Sequence, residues 1–313
     1  MAKTRNWTPR RRAACALGTA ALVGGTVAAI IARKRAAETP PHRVGVAANG
    51  MDYEVFGDGA RTILFIPGGP GSEISTGLMG KLRSMMFAPY VDAGYTVWNV
   101  IRRRHMPVGH TVAEMADDYA QFVRDELGGH VDLVIGESYG GMIAQYLAAN
   151  HPSLTDRVVL AVAAGTITGW GVEVDLDMAR AQAEGRYDDA GAAFLEYITP
   201  GDEMANLRRR LGPLVGRFLA HPETPPGDLI VEAEAEVTFD ARPELGRITA
   251  PVLMLCGNQD RFFSPDDVAE TAGLIPNCTL IWYEGMGHMR AASSGRIPRD
   301  VLAWTEQLDA AAA

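Results

Sequence analysis

From about residue 51 onward, short apolar runs alternate with helical stretches. Met51 to Phe56 alternates apolar and polar positions as a half-buried strand does, Asp58-Gly59 marks a turn, and Thr62 to Ile66 reads as a buried strand. Thr96 to Val100 is the next strand, after which Met115, Tyr119, Phe122 and Val123 recur at helical spacing. Val131 to Ile135, Val158 to Val162, Pro251 to Cys256 and Thr279 to Tyr283 complete the strands. A helix runs from Tyr139 to about Ala149, and a last one lies near Pro298 to Leu308. Such alternation implies an α/β fold, a mostly parallel twisted sheet with helices on both faces. Between residues 165 and 245 the strand signals stop. Met178 to Gln182, Ala190 to Tyr197, Asn206 to Leu219 and Asp228 to Glu236 read there as helices. So long an insertion is not a loop. A helical lid over the carboxyl edge of the sheet, where open α/β folds bind ligands, is expected instead. The expected division is a core of residues 44–164 and 246–313 with a lid of 165–245.

Residues 1–43 form a basic segment and linker, with nine Lys/Arg against Glu38 alone. Ala13 to Ala32 carries no charge, and as a helix it would be roughly 30 Å long, enough to cross a bilayer core. Arg10-Arg11-Arg12 precede this span and Arg33-Lys34-Arg35 follow it. The second cluster sits badly with signal cleavage, so the span 13–32 is expected to be a single membrane anchor, the side of the body left open. Export after cleavage and a cytoplasmic location are the alternatives. The whole chain is at −9 despite this basic head, so the body is strongly acidic and nucleic acid is not an expected partner. A content of 47% hydrophobic and 21% charged residues excludes disorder. Cys15, Cys256 and Cys278 make neither a disulfide scaffold nor a structural zinc motif. Cys256 ends one expected strand and Cys278 begins its neighbour, out of register and beyond disulfide reach.

Gly136-Glu137-Ser138-Tyr139-Gly140 follows one buried strand and opens a helix, the context a nucleophile elbow requires. Glycines on both sides permit a sharp turn that lifts the Ser138 hydroxyl from the sheet edge, with the helix N-terminus beside it. Serine needs a base held by a third group. His288 lies in Glu284-Gly285-Met286-Gly287-His288 after one strand, and Asp260 in Gly257-Asn258-Gln259-Asp260 after another. Both therefore leave the sheet at the edge where Ser138 does, in the order Ser, Asp, His. Pro67-Gly68-Gly69-Pro70-Gly71-Ser72 is a glycine-rich turn suited to an oxyanion hole. Pro70 has no N–H, so Gly69 is the expected donor, with the backbone N–H of Tyr139 as the second.

Over about residues 44–309 the chain resembles the α/β-hydrolase superfamily, with its lid in the usual place after the sixth strand. That resemblance implies Ser138, Asp260 and His288 as a catalytic triad and Gly69 and Tyr139 as the oxyanion pair. It implies no cofactor and no metal. Pro67-Gly68 stands where many relatives have His-Gly, so the hydrogen bond that fastens their loop is missing. Gly68-Gly69-Pro70-Gly71 is similar to the HGGPG signature of proline iminopeptidases, without its histidine. Serine at the elbow argues against haloalkane dehalogenases and epoxide hydrolases, which have aspartate there. The expected activity is that of an esterase-like serine hydrolase, cleaving a carboxylic ester or related acyl bond of a small-molecule substrate through an acyl-enzyme on Ser138. A proline iminopeptidase-like aminopeptidase and a non-catalytic ligand-binding protein on the same fold are the alternatives. Arg102-Arg103-Arg104-His105 reads as a solvated charge run, with an anion site as its alternative. Glu232, Glu234 and Glu236 read as a solvated helix face, with a substrate amine as theirs. His42, His110, His130, His151 and His221 have no partners readable from sequence.

Overall fold

In the strand Arg61–Ile66 (β3), Ile63 and Phe65 pack on one face of the sheet and Leu64 and Ile66 on the other. That is the two-residue period of a strand whose both sides are apolar. The computed structural model describes residues 42–69, 73–74, 76–199, 201–219 and 224–312. Its sheet begins with β1 (His42–Val46) and β2 (Asp52–Phe56) and continues with β4 (Tyr95–Val100), β3, β5 (Leu133–Glu137), β6 (Val158–Ala161), β7 (Val252–Gly257) and β8 (Cys278–Tyr283). The spatial order is β1-β2-β4-β3-β5-β6-β7-β8. β1 and β2 pair antiparallel, as do β2 and β4, and every other pair is parallel.

Helices α1 (Gly77–Asp92) and α11 (Arg296–Ala312) cover one face, where Phe87, Tyr90, Val301 and Trp304 join Phe65 and Leu253. On the other face lie α2 (Val112–Glu126) and α3 (Tyr139–Asn150), whose Met115, Tyr119, Phe122, Met142 and Ile143 pack with Leu64 and Met254. A capping box starts α2: the Thr111 hydroxyl accepts from the Glu114 N–H at 3.2 Å, and the Glu114 carboxylate accepts from the Thr111 N–H at 2.8 Å.

Among the described residues five α-helices lie between β6 and β7: α4 (Gly169–Ala183), α5 (Tyr187–Ile198), α6 (Ala205–Leu219), α7 (Pro226–Val237) and α8 (Arg242–Leu245). The two ends of this segment are pinned side by side. Thr166 and Asp240 form an antiparallel bridge, and the Ala241 N–H donates to the Gly165 carbonyl at 2.8 Å. After β7, α9 (Pro265–Leu274) packs beside β8, and the short α10 (His288–Ala292) follows it. Cys256 and Cys278 are free, Cys256 opposite Trp282 and Cys278 opposite Val252 in the register.

β1 and α1 carry no clear pattern in the sequence. β1 is exposed along most of its length, so no apolar alternation marks it. α1 follows Thr76, contains Pro89, and has no side-chain cap. The expected membrane span 13–32 lies outside the described residues. Among the described residues no helix is long and apolar enough to cross a membrane. This corrects the expectation of a membrane-anchored protein with a transmembrane helix, and of membrane association through residues 13–32. The physical weakness of that expectation is composition: Ala, Gly and Thr dominate the run, and such residues gain little on entering a bilayer.

Candidate active site

The parallel register brings five strand ends level, with Ile66 opposite Gly136, Glu137 opposite Ala161, and Gly257 opposite Tyr283. Side chains from the loops after these strands therefore meet along one edge. Ser138, directly after β5, has φ 52 and ψ −115, a conformation that costs a non-glycine residue about 1–3 kcal/mol. Its neighbours enforce it. The Ser138 N–H donates to the Ala161 carbonyl at 2.8 Å, and the Ser138 carbonyl accepts from Gly141 at 2.8 Å and Met142 at 3.2 Å. A methyl group on Gly140 would lie 2.0 Å from the Ile66 carbonyl oxygen, so only glycine lets α3 approach the sheet so closely.

The loops after β7 and β8 are tied to each other. The Gln259 N–H donates to the Met286 carbonyl at 3.0 Å, and the Gly285 N–H to the Asn258 side-chain oxygen at 2.7 Å. This lacing sets His288 against Asp260, with Nδ1 2.7 Å from the Asp260 Oδ2. Its Nε2 lies 2.9 Å from the Ser138 Oγ. The other Asp260 oxygen accepts from the backbone N–H groups of Phe262 at 2.9 Å and Phe263 at 3.3 Å. The rings of both phenylalanines lie against the imidazole, with centroids 4.8 and 5.8 Å away. Asp260 is thus buried with both oxygens occupied, which fixes the direction it presents to His288.

Gly69 has φ 70, and a methyl group on Gly68 would lie 3.0 Å from the Ser138 Cβ, so this loop passes directly over the serine. Tyr139 is the first residue of α3, where an N–H has no intrahelical acceptor and the helix dipole favours negative charge. The five residues singled out from sequence are therefore gathered at one edge, three of them in a continuous hydrogen-bonded chain.

A family model described as alpha/beta hydrolase fold matches residues 51–290. The chain belongs to the α/β-hydrolase family. It is 27% identical over 209 residues to a putative carbamate hydrolase, RutD, of Serratia proteamaculans, covering 64% of this chain and 74% of that one. The fold is similar to that of an esterase from Exiguobacterium antarcticum, with TM-score 0.64 and 18% identity over 85% of this chain and all of the other. It is likewise similar to an enol-lactonase from Burkholderia xenovorans, with TM-score 0.59 and 21% identity over 86% and 98%. The protein is a hydrolase of the α/β family, and its substrate is accordingly a small molecule.

Several side chains around this candidate site were not legible as such. A cavity of about 380 Å³ opens beside His288, walled by Trp170, Tyr197 and Phe262, with Arg261 and Arg290 on its lining. Deeper in the helical segment, the Tyr197 hydroxyl donates to Asp175, which is also hydrogen-bonded to Glu236. Burial raises the Asp175 carboxyl to about 6. Burial, and then the charge of Asp175, holds the Glu236 carboxyl well above the usual carboxylate range. Glu236 and Asp175 thus form a buried, hydrogen-bonded pair of carboxyl groups. The helical spacing of Glu232 and Glu236, four residues apart with Ala233 and Ala235 between, was the available signal for an inward face.

That face corrects the reading of Glu232, Glu234 and Glu236 as solvated: Glu232 and Glu236 are buried and only Glu234 is exposed. The arginine run is likewise no solvated face. Arg102 is buried against Glu232, Arg103 pairs with Asp118 at 3.2 Å, and Arg104 bonds the Thr224 hydroxyl at 2.8 Å. The N–H groups of His105 and Met106 both donate to Asp228, each at 2.8 Å. Arg102, His105 and Met106 thus staple the loop after β4 to α7, Arg104 ties it to the residues just ahead of α7, and Arg103 ties it to α2. Four of the five unassigned histidines have carboxylate partners: His42 with Glu54, His110 with Asp118, His130 with Asp156 and His151 with Asp117. His221 lies outside the described residues.

Proposed function

We propose that the protein is a serine hydrolase that cleaves a carboxylic ester or a related acyl bond through an acyl-enzyme on Ser138. The observation that carries this reading is the chain from the Ser138 Oγ to His288 at 2.9 Å and from His288 to Asp260 at 2.7 Å. In the proposed reaction His288 Nε2 takes the Ser138 proton as Oγ attacks the substrate carbonyl carbon. Asp260 holds the imidazole with Nδ1–H directed at its Oδ2 and stabilises the cation that forms. The N–H groups of Gly69 and Tyr139 take the negative oxygen of the tetrahedral intermediate, and the dipole of α3 assists them. His288 then returns the proton to the leaving group, and a water activated by the same imidazole releases the acid. Residues 165–245 act as a lid in this reading, their Trp170 and Tyr197 walling the cavity beside His288. The carbamate named for the Serratia relative is also an acyl compound attacked at a carbonyl carbon, which is in keeping with this chemistry.

A second reading is an aminopeptidase, favoured by one observation. Among the described residues the buried Glu236 Oε2 has no hydrogen-bond partner, and an amine of the substrate would supply one. Turnover of p-nitrophenyl esters and of proline p-nitroanilide by wild type, Ser138→Ala and Asp260→Asn separates the possibilities. The ester reading expects ester cleavage well above anilide cleavage, abolished in Ser138→Ala and reduced about 10³- to 10⁴-fold in kcat by Asp260→Asn. Faster anilide cleavage would favour the aminopeptidase, and ester cleavage unchanged in Ser138→Ala would remove the serine mechanism altogether.

A further inference from the structure

Arg102 is the largest fully buried side chain among the described residues, and the serine-hydrolase reading as it stands gives it no role. It leaves β4 two residues after Val100 and turns under the glycine-rich loop. Its Nη1 donates to the Pro67 carbonyl at 2.9 Å, and its Nη2 donates to the Gly69 carbonyl. Its Nε lies 2.9 Å from the Glu232 Oε1 on α7. The guanidinium stands 4.6 Å over the ring of Tyr139, whose hydroxyl donates to the Glu232 carbonyl at 2.8 Å. One planar group thus contacts the loop over Ser138, the residue after Ser138, and the helical segment above both.

The two loop acceptors are informative because of where they fall. The Gly69 N–H belongs to the peptide unit joining Gly68 to Gly69. The Pro67 carbonyl belongs to the unit before it and the Gly69 carbonyl to the unit after it. Peptide units are rigid planes, so holding the oxygens on both sides leaves the intervening unit little freedom to turn. Two successive glycines would otherwise make this the softest part of the loop, with Gly69 at φ 70. Pro67-Gly68 has no histidine with which to tether the turn, and the guanidinium supplies the missing anchor from another strand. Burial works against the charge, but Glu232 outweighs it and raises the Arg102 pKa, so the clamp stays cationic. A lysine could not reproduce it, since a point charge has no planar fork to span two carbonyls and a carboxylate.

We propose that Arg102, seated by Glu232, is the positioning residue of the oxyanion loop: it aims the Gly69 N–H at the developing oxyanion. This rests on the serine-hydrolase reading. Arg102 touches no reacting atom in this proposal, and its effect passes through the Gly68–Gly69 peptide.

The test uses the full chain with Arg102→Met, Arg102→Lys and Glu232→Gln, and Ser138→Ala in parallel. Folding is followed by circular dichroism. Kinetics are read as kcat and KM on a p-nitrophenyl ester, with Ki for a trifluoromethyl ketone whose hemiketal oxygen would occupy the same hole. Arg102→Met is expected to lower kcat about 100-fold, the loss typical of one oxyanion donor, with KM within about threefold. Arg102→Lys and Glu232→Gln are expected to lose about tenfold or more in kcat, so the outcome does not hang on the stability of Arg102→Met. Across the set, Ki should rise in proportion as kcat/KM falls, which a purely structural role would not produce. Folded variants with kcat within threefold of wild type, or with Ki unchanged while kcat/KM falls, would overturn the proposal. If Ser138→Ala is dead while those variants are unaffected, only the role of Arg102 fails. If Ser138→Ala is active, the hydrolase reading fails with it.

Discussion

Ser138 holds a backbone conformation with φ 52 because a strand, a helix and a neighbouring strand leave it no other. Such local strain at one hydroxyl-bearing residue, with glycines on either side of it, is readable from five letters of sequence. Asp260 and His288 were legible for a similar reason, since each follows a buried strand within a few residues and the parallel sheet aligns the exits. Arg102 and Glu236 were not, because what distinguishes them is burial, and an arginine or glutamate in a charged run has the composition of a solvated surface. The Asp175–Glu236 pair has a measurable consequence. Folding raises both carboxyl pKa values, by burial first, so the native state keeps protons that the unfolded chain releases above its ordinary carboxylate range. The pair therefore subtracts stability as pH rises from about 4 upward, increasingly so until the folded-state values are passed. Glu236→Gln removes one of these titrations while keeping a donor to Asp175. Its Tm relative to wild type is expected to be more favourable at pH 8 than at pH 5. An equal difference at the two values would show that the pair does not titrate in this way.

Among the elements, the parallel strands declared themselves because both their faces are buried, which makes a run such as Ile63-Leu64-Phe65-Ile66 continuous. The expected and observed limits of β3 to β8 agree to within two residues, the largest shift being the strand expected at Val131–Ile135 and found at Leu133–Glu137. β1 escaped notice because an exposed edge strand has no core to impose a period. α1 escaped because its apolar residues do not keep to one stripe, Met86 and Phe87 lying next to each other, and because Pro89 reads as a break. The packing of α3 on the sheet yields a prediction. Gly140→Ala places a methyl group 2.0 Å from the Ile66 carbonyl oxygen, against backbone that cannot yield by a side-chain rotation. A loss of about 3 kcal/mol or more is expected, seen as a lower denaturant midpoint at unchanged m-value. A midpoint equal to wild type would mean that α3 can move off the sheet without penalty.

Across the whole molecule, one sheet edge gathers Ser138, Asp260 and His288, and a helical segment is inserted between β6 and β7. The alternation of strands and helices already implied the mostly parallel sheet with helices on both faces, and the match of residues 51–290 to the α/β-hydrolase family agrees with that fold. The packing of the segment was out of reach, since its helices bury Glu232 and Glu236 where a solvated face was expected, and Asp175 with them. The membrane anchor expected at 13–32 had rested on one uncharged run of bilayer length between two basic clusters. What the account requires above all is that the edge hold a serine activated by its neighbours. Covalent labelling of the full chain by a fluorophosphonate probe measures that directly, with Ser138→Ala and His288→Ala beside wild type. Labelling of wild type that is lost in Ser138→Ala and strongly reduced in His288→Ala is the result predicted. A folded wild-type protein that takes up no probe, or labelling that persists in Ser138→Ala, would contradict it.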